Sequence, residues 1–188
     1  MKKIIPVEIS ARHLHLTQKD FEKLFGRRIP TPLRKLSQNQ IAAKETVELI
    51  YKDKSLKNVR VVYPFRQKTQ VEISLTDAIY LGIKPVFRTS GDLENTPGIE
   101  IVGSKGKIKL KSGVIVPLRH LHASDKEAKK LRLKNKEKVR IKILGKRGLI
   151  FENVIVRVKR SFNLTLHLDT DEGNACGISK KGKGILLN

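Results

Sequence analysis

The sequence predicts a mainly β protein with short capping helices, folded as small barrels or sandwiches. Three observations carry that expectation. Short apolar–polar alternations recur along the chain with little helix between them. The helix-start signals that do occur open only short helices. The segment Arg12-His13-Leu14-His15 returns as Arg119-His120-Leu121-His122, so the chain carries an internal repeat.

The elements follow in order. Ile5 to Ile9 alternates and reads as a strand. Thr17 is placed to cap a helix, with Asp20 reaching back and Gly26 ending it after Phe25. Pro30 to Gln40 reads as a loop, and Val47–Tyr51, Val59–Tyr63 and Lys68–Ser74 as strands. Leu75-Thr76-Asp77-Ala78 opens a short capped helix that stops at Gly82, and Ser90-Gly91-Asp92 reads as a turn. Ile99–Gly103 and Lys107–Leu110 form a hairpin around Ser104-Lys105-Gly106. Ser124-Asp125-Lys126-Glu127 is a capping box for a helix reaching about Leu131. Val139–Leu144, Leu149–Phe151, Val154–Lys159 and Leu164–Leu168 read as strands.

Composition narrows the function. Apolar residues make up 39% of 188, enough with the glycines for a core, and no apolar run approaches a membrane span. The single cysteine, Cys176, cannot form an intramolecular disulfide, which fits a reducing, cytoplasmic setting. It reads as a small core residue rather than a ligand. Forty Lys and Arg against 18 Asp and Glu give a net charge of +22, with 19 basic and 4 acidic residues in 105–160 alone. Such a surface attracts polyanions, whether nucleic acid, anionic lipid or phosphorylated small molecules. With no Trp and 5% aromatics, a base-stacking platform is not expected.

The histidines point to metal. Four of the five sit in the two Arg-His-Leu-His copies, and the fifth is His167. On a strand, residues two apart share a face, so each copy offers two imidazoles on one side and a leucine on the other. The repeat also aligns Val71–Asp77 with Leu166–Glu172, which puts Glu72 opposite His167 and Gly82 opposite Gly177. The offset is 107 at the histidine pairs and 95 here. Two ligand sets result: His13, His15 and Glu72, and His120, His122 and His167. Imidazole suits zinc, copper, iron or nickel, and three ligands with an open position is the pattern of catalytic zinc.

The motifs Ser10–Leu16, Ala42–Val47, Thr69–Ser74, Ser90-Gly91-Asp92, Arg119–His122 and His167–Glu172 together resemble the PduL-type phosphotransacylases, the phosphate propanoyltransferases. The resemblance covers nearly the whole chain in order. It implies two small β-barrels, 1–104 and 105–188, with the active site and a dinuclear zinc centre between them. It implies reversible transfer of a short acyl group, propanoyl or acetyl, from CoA to inorganic phosphate. It assigns one zinc to His13, His15 and Glu72 and the other to His120, His122 and His167. Arg66, Ser90 and Arg157 match positions that line the phosphate and CoA site and carry the catalytic roles, with Ser10 and Arg12 close by for binding CoA. Ala11 and Ala123 replace bulkier residues in the family pattern, and none of the ligand positions is lost. Propanediol utilisation and a homodimer fit the same family. Members housed in bacterial microcompartments often carry an N-terminal encapsulation extension. This chain begins at its first strand, so lumen targeting is not expected.

No Ser-His-Asp or Cys-His arrangement is evident, so direct attack by phosphate is expected over an acyl-enzyme. Two rivals remain at this point. The same ligands could serve a dizinc hydrolase of a phosphate ester or thioester. The charge alone would suggest a nucleic-acid-binding protein, but that leaves the histidine repeat unexplained, so neither a nucleic-acid nor a membrane partner is expected.

Overall fold

The computed structural model describes residues 3–187. The chain runs β1 (Ile4–Ile9), β2 (His13–His15), α1 (Gln18–Phe25), β3 (Pro32–Lys35), β4 (Ile41–Tyr51), β5 (Lys54–Tyr63), β6 (Gln70–Glu72), α2 (Leu75–Leu81) and β7 (Phe87–Arg88). It continues with β8 (Glu100–Val102), β9 (Lys107–Lys109), β10 (Val114–Pro117), β11 (His120–Ala123), α3 (Asp125–Leu131), β12 (Lys138–Ile143), β13 (Ile150–Val158), β14 (Thr165–Leu168), α4 (Thr170–Cys176) and β15 (Lys181–Leu187). The fold is mainly β with short helices, as the sequence predicts, and the described residues hold a fourth helix, α4, beyond the three expected. Among the described residues, no helix is long and apolar enough to cross a membrane.

Two compact units divide the chain, and neither is a continuous half. The boundary expected between residues 104 and 105 falls instead after Ala11 and after Pro117. The reason is strand pairing. β1 leads straight into β2, yet it pairs with β14 and β15, so it joins the residues from Leu118 onward. β10 leads into β11, yet it pairs with β6 and β7 and joins residues 12–117. The repeat explains the reciprocity: Glu8 pairs with His167 and Ile115 with Glu72, and 8 and 115 are one repeat offset of 107 apart.

The unit containing β1 and β11–β15 is a closed barrel of order β1-β14-β11-β13-β12-β15. Ile5, Val7, Leu121, Val156, Leu166 and Leu168 fill it. The other unit is a nine-stranded sheet curled into a half-barrel, with β3 branching from β4. Leu14, Val61, Val71, Ile73 and Ile101 form its centre. Closure is therefore complete in one unit only.

Local chemistry sets the elements. Thr17, Ser74, Ser124 and Asp169 cap the four helices, the last three with full capping boxes. Gly26, Gly82 and Gly177 end α1, α2 and α4 in the left-handed conformation. Other readings change: Asp20 accepts from the Thr69 hydroxyl rather than reaching back to the cap, and the strand expected at Lys68–Ser74 is only β6. The loop expected at Pro30–Gln40 contains β3, whose four residues are all exposed and so lack an apolar signature. The strands expected at Leu149–Phe151 and Val154–Lys159 are one strand, β13, continuous through Asn153 at φ 56°. β4 and β5 begin earlier than expected and are long.

Candidate metal centres

In the half-barrel unit, β2 sends His13 and His15 to one face while Leu14 is fully buried on the other. The antiparallel strand β6 sets Glu72 opposite His13 and Gln70 opposite His15. His13 Nε2 lies 3.7 Å from Glu72 Oε2, and His15 Nε2 lies 4.0 Å from Glu72 Oε1. His15 Nδ1 donates to the Val62 carbonyl at 3.1 Å, which fixes the tautomer and turns the Nε2 lone pair to the cluster.

A polar cradle surrounds this centre. Ser90 Oγ donates to Glu72 Oε1 at 2.8 Å. The Gln70 amide donates to Glu72 and, at 3.0 Å, to Ser90 Oγ, while the Gly91 N–H donates to Gln70 Oε1 at 2.8 Å. Arg66 donates from Nη1 to Ser90 Oγ at 2.9 Å and from Nη2 to His15 Nε2 at 2.8 Å. Burial, His13 and Arg66 hold His15 well below its ordinary pKa, so its ring stays neutral at neutral pH. Burial disfavours ionised Glu72, but His13, His15, the Ser90 hydroxyl and Arg66 outweigh it and keep the carboxyl well below its usual range.

In the barrel unit, β11 and β14 set His120 opposite His167 and His122 opposite Thr165. The parallel strand β13 puts Arg157 beside His122. The three imidazole centroids lie 4.6–5.2 Å apart. His120 Nδ1 donates to the Leu118 carbonyl at 2.8 Å, again leaving Nε2 for the cluster. His122 is 6% exposed, packs its ring 4.1 Å from that of Phe162, and has no hydrogen-bond partner on either ring nitrogen among the described residues. Burial, His120, His167 and Arg157 push its pKa down to about 2.

A buried imidazole with no partner on either nitrogen is costly unless something binds there. The donor atoms of each triad lie within 4.8 Å of one another, which small side-chain shifts bring onto one ion bound at about 2.0–2.1 Å. Two His and one Glu, or three His, with a position left for a substrate or water, are donor sets of catalytic zinc. Both triads therefore fit a metal ion.

The remaining expected residues divide. Arg66 and Ser90 join the first centre, and Arg157 joins the second. Ser10 is held by its backbone N–H on the Leu168 carbonyl at 2.8 Å, one residue beyond His167. The Arg12 guanidinium lies 3.2 Å from Asp77, inside its own unit. Cys176 is buried and donates to the Gly173 carbonyl. Sequence reasoning assigned no role to Gln70 or Phe162. Gln70 was within reach, since it stands two residues before Glu72 and shares its face. Phe162 lies in the segment after β13, and nothing in its local pattern marks it.

The class defined here is a β protein with a duplicated triad that fits a metal ion, each copy beside an arginine. Residues 6–179 match the model of the family described as Phosphate propanoyltransferase. A phosphate propanoyltransferase of Clostridioides difficile is 47% identical over 178 residues, covering 94% of this chain and 85% of that protein. One of Thermotoga maritima is 47% identical over 174 residues, covering 91% and 83%. One of Salmonella typhimurium is 46% identical over 175 residues, covering 92% and 83%. The chain belongs to the phosphate propanoyltransferase family and is an acyltransferase.

Proposed function

We propose that the chain converts a short-chain acyl-CoA, propanoyl-CoA or acetyl-CoA, and inorganic phosphate reversibly to acyl phosphate and CoA, with one zinc ion in each triad. The observation that carries this reading is His122, whose two buried ring nitrogens have no partner among the described residues and whose ring lies beside two further imidazoles. When bound, zinc supplies Lewis acidity toward phosphate or the thioester carbonyl and affinity for the leaving thiolate.

The chain's own residues do the rest. Arg66 and Arg157 hold phosphate through paired N–H donors and offset charge in the tetrahedral transition state. Ser90 links Arg66 to Glu72 and so orients the guanidinium. A phosphate oxygen attacks the thioester carbonyl, the carbon–sulfur bond breaks, and CoA leaves as thiolate. No acyl-enzyme is formed.

The test is CoA release from propanoyl-CoA and acetyl-CoA with and without phosphate, with initial rates across both substrates. Release that requires phosphate, with intersecting lines, is expected. Phosphate-independent release would make the protein a thioester hydrolase, and parallel lines would require an acyl-enzyme.

A further inference from the structure

Each metal-type triad ends on a facing pair of ligands, His13 with Glu72 and His120 with His167. The ladders that carry them are short: β2 and β6 have three residues each, β11 and β14 four. Each facing pair lies at the end of its shared ladder, although every one of these strands is also paired on its other side. Just beyond that end, the same contact occurs in both units. Arg12 Nε lies 3.2 Å from Asp77 Oδ2, and Arg119 Nε lies 2.6 Å from Glu172 Oε1.

The two ion pairs are equivalent under the repeat. Arg12 and Arg119 each open an Arg-His-Leu-His segment, 107 apart, and Asp77 and Glu172 are 95 apart, as Glu72 and His167 are. Each acid is the third residue of the helix that follows the third-ligand strand, and each also accepts from the backbone N–H of its helix cap, Ser74 at 3.3 Å and Asp169 at 3.1 Å. One carboxylate thus fixes the start of the helix and the arginine beside the first ligand. Both acids are largely buried, with side chains 7% and 16% exposed. Arg119 is held further by the Phe151 ring, 5.0 Å away, and by the Glu152 carbonyl. The pair persists although the third ligand changes from Glu to His, the cap from Ser to Asp and the acid from Asp to Glu.

We infer that Asp77 and Glu172 are positioning residues, each locking the arginine that precedes the first ligand to the helix that follows the third, and so holding the facing ligands at binding distance. The inference rests on the metal reading of the triads. It also gives Arg12 a task inside the protein rather than on CoA.

The experiment is zinc affinity of the full-length chain, measured by competition with a chromophoric chelator, beside the melting temperature of the metal-free protein. Glu172→Gln retains one oxygen able to cap the helix but loses the second, which faces Arg119. It should weaken one of two zinc sites by about ten- to a hundredfold, as loss of a ligand-orienting partner does, and leave the other unchanged. Asp77→Asn should weaken the other site alone. Glu172→Asp, using the acid of the first copy, should recover most of the loss. A lowered melting temperature with unchanged zinc affinity would reduce the pairs to fold stabilisers and overturn the inference. Two zinc ions still bound per chain after replacement of both His120 and His167 would instead sink the metal reading, and this inference with it.

Discussion

At the scale of single residues, His122 carries a conflict between folding and function. Its ring is buried against Phe162 with neither nitrogen paired among the described residues. The folded metal-free protein resists protonating it until about pH 2, whereas an unfolded chain takes that proton near pH 6.5. Below 6.5 the unfolded state therefore binds more protons, and stability is lost as pH falls from there, by about 1.4 kcal/mol per pH unit for one such group. His15 acts in the same direction. Urea midpoints of metal-free protein should fall from pH 7 to pH 5, and less so in His122→Leu. That variant should also be more stable at pH 7 without metal, by about 1–3 kcal/mol, because an unsatisfied polar group is gone. A variant no more stable than the parent would mean that His122 is satisfied without an ion.

The arginines are tested by kinetics. Arg66→Ala and Arg157→Ala should each cost about 1.5–3 kcal/mol in kcat/KM for phosphate, the range of a charge-assisted hydrogen bond, with zinc content retained. Unchanged phosphate kinetics in either variant would return that arginine to the basic surface.

At the scale of elements, β13 shows how a strand crosses a residue that breaks its pattern. Val139 pairs with Val154 and Ile141 with Phe151, so Glu152 and Asn153 together face Arg140 in a bulge. Asn153 takes φ 56°, which asparagine tolerates and β-branched residues do not. Asn153→Val should cost about 1–2 kcal/mol of unfolding free energy and Asn153→Gly much less, read by urea denaturation. Equal losses would place the cost in the asparagine side chain rather than in the backbone.

The same strand marks what could be read from sequence. The histidine strands, three of the four capped helices and the equivalence of Glu72 and His167 under the repeat were legible, because local periodicity, capping chemistry and an internal repeat carry them. The exchange of β1 and β10 was not, because each pairs with strands distant in sequence. β15 was hidden by Gly182 and Gly184, which interrupt its alternation. Their reason is tertiary: a Cβ at Gly182 would meet Ile178 at 2.4 Å, and one at Gly184 would meet Ile141 at 2.7 Å. The Arg12–Asp77 and Arg119–Glu172 pairs were hidden as well, since forty basic residues give no reason to single out two.

At the scale of the molecule, the charge of +22 meets substrates that are anions, CoA with its phosphates and inorganic phosphate itself. A positive field raises encounter rates with such ligands, and salt screens it over about 8 Å at physiological ionic strength. The Michaelis constant for acyl-CoA should therefore rise with salt. The exposed lysines of α3, Lys126, Lys129 and Lys130, are the local test. If they steer substrate, their joint replacement by Gln flattens the salt slope; an unchanged slope makes them solvating charge.

The duplicated centre is the central claim, and metal content tests it most directly. Elemental analysis of active full-length protein should find two zinc ions per chain, and one in each of His13→Ala and His120→Ala. One ion per chain in a fully active preparation, or two retained in either variant, would contradict it.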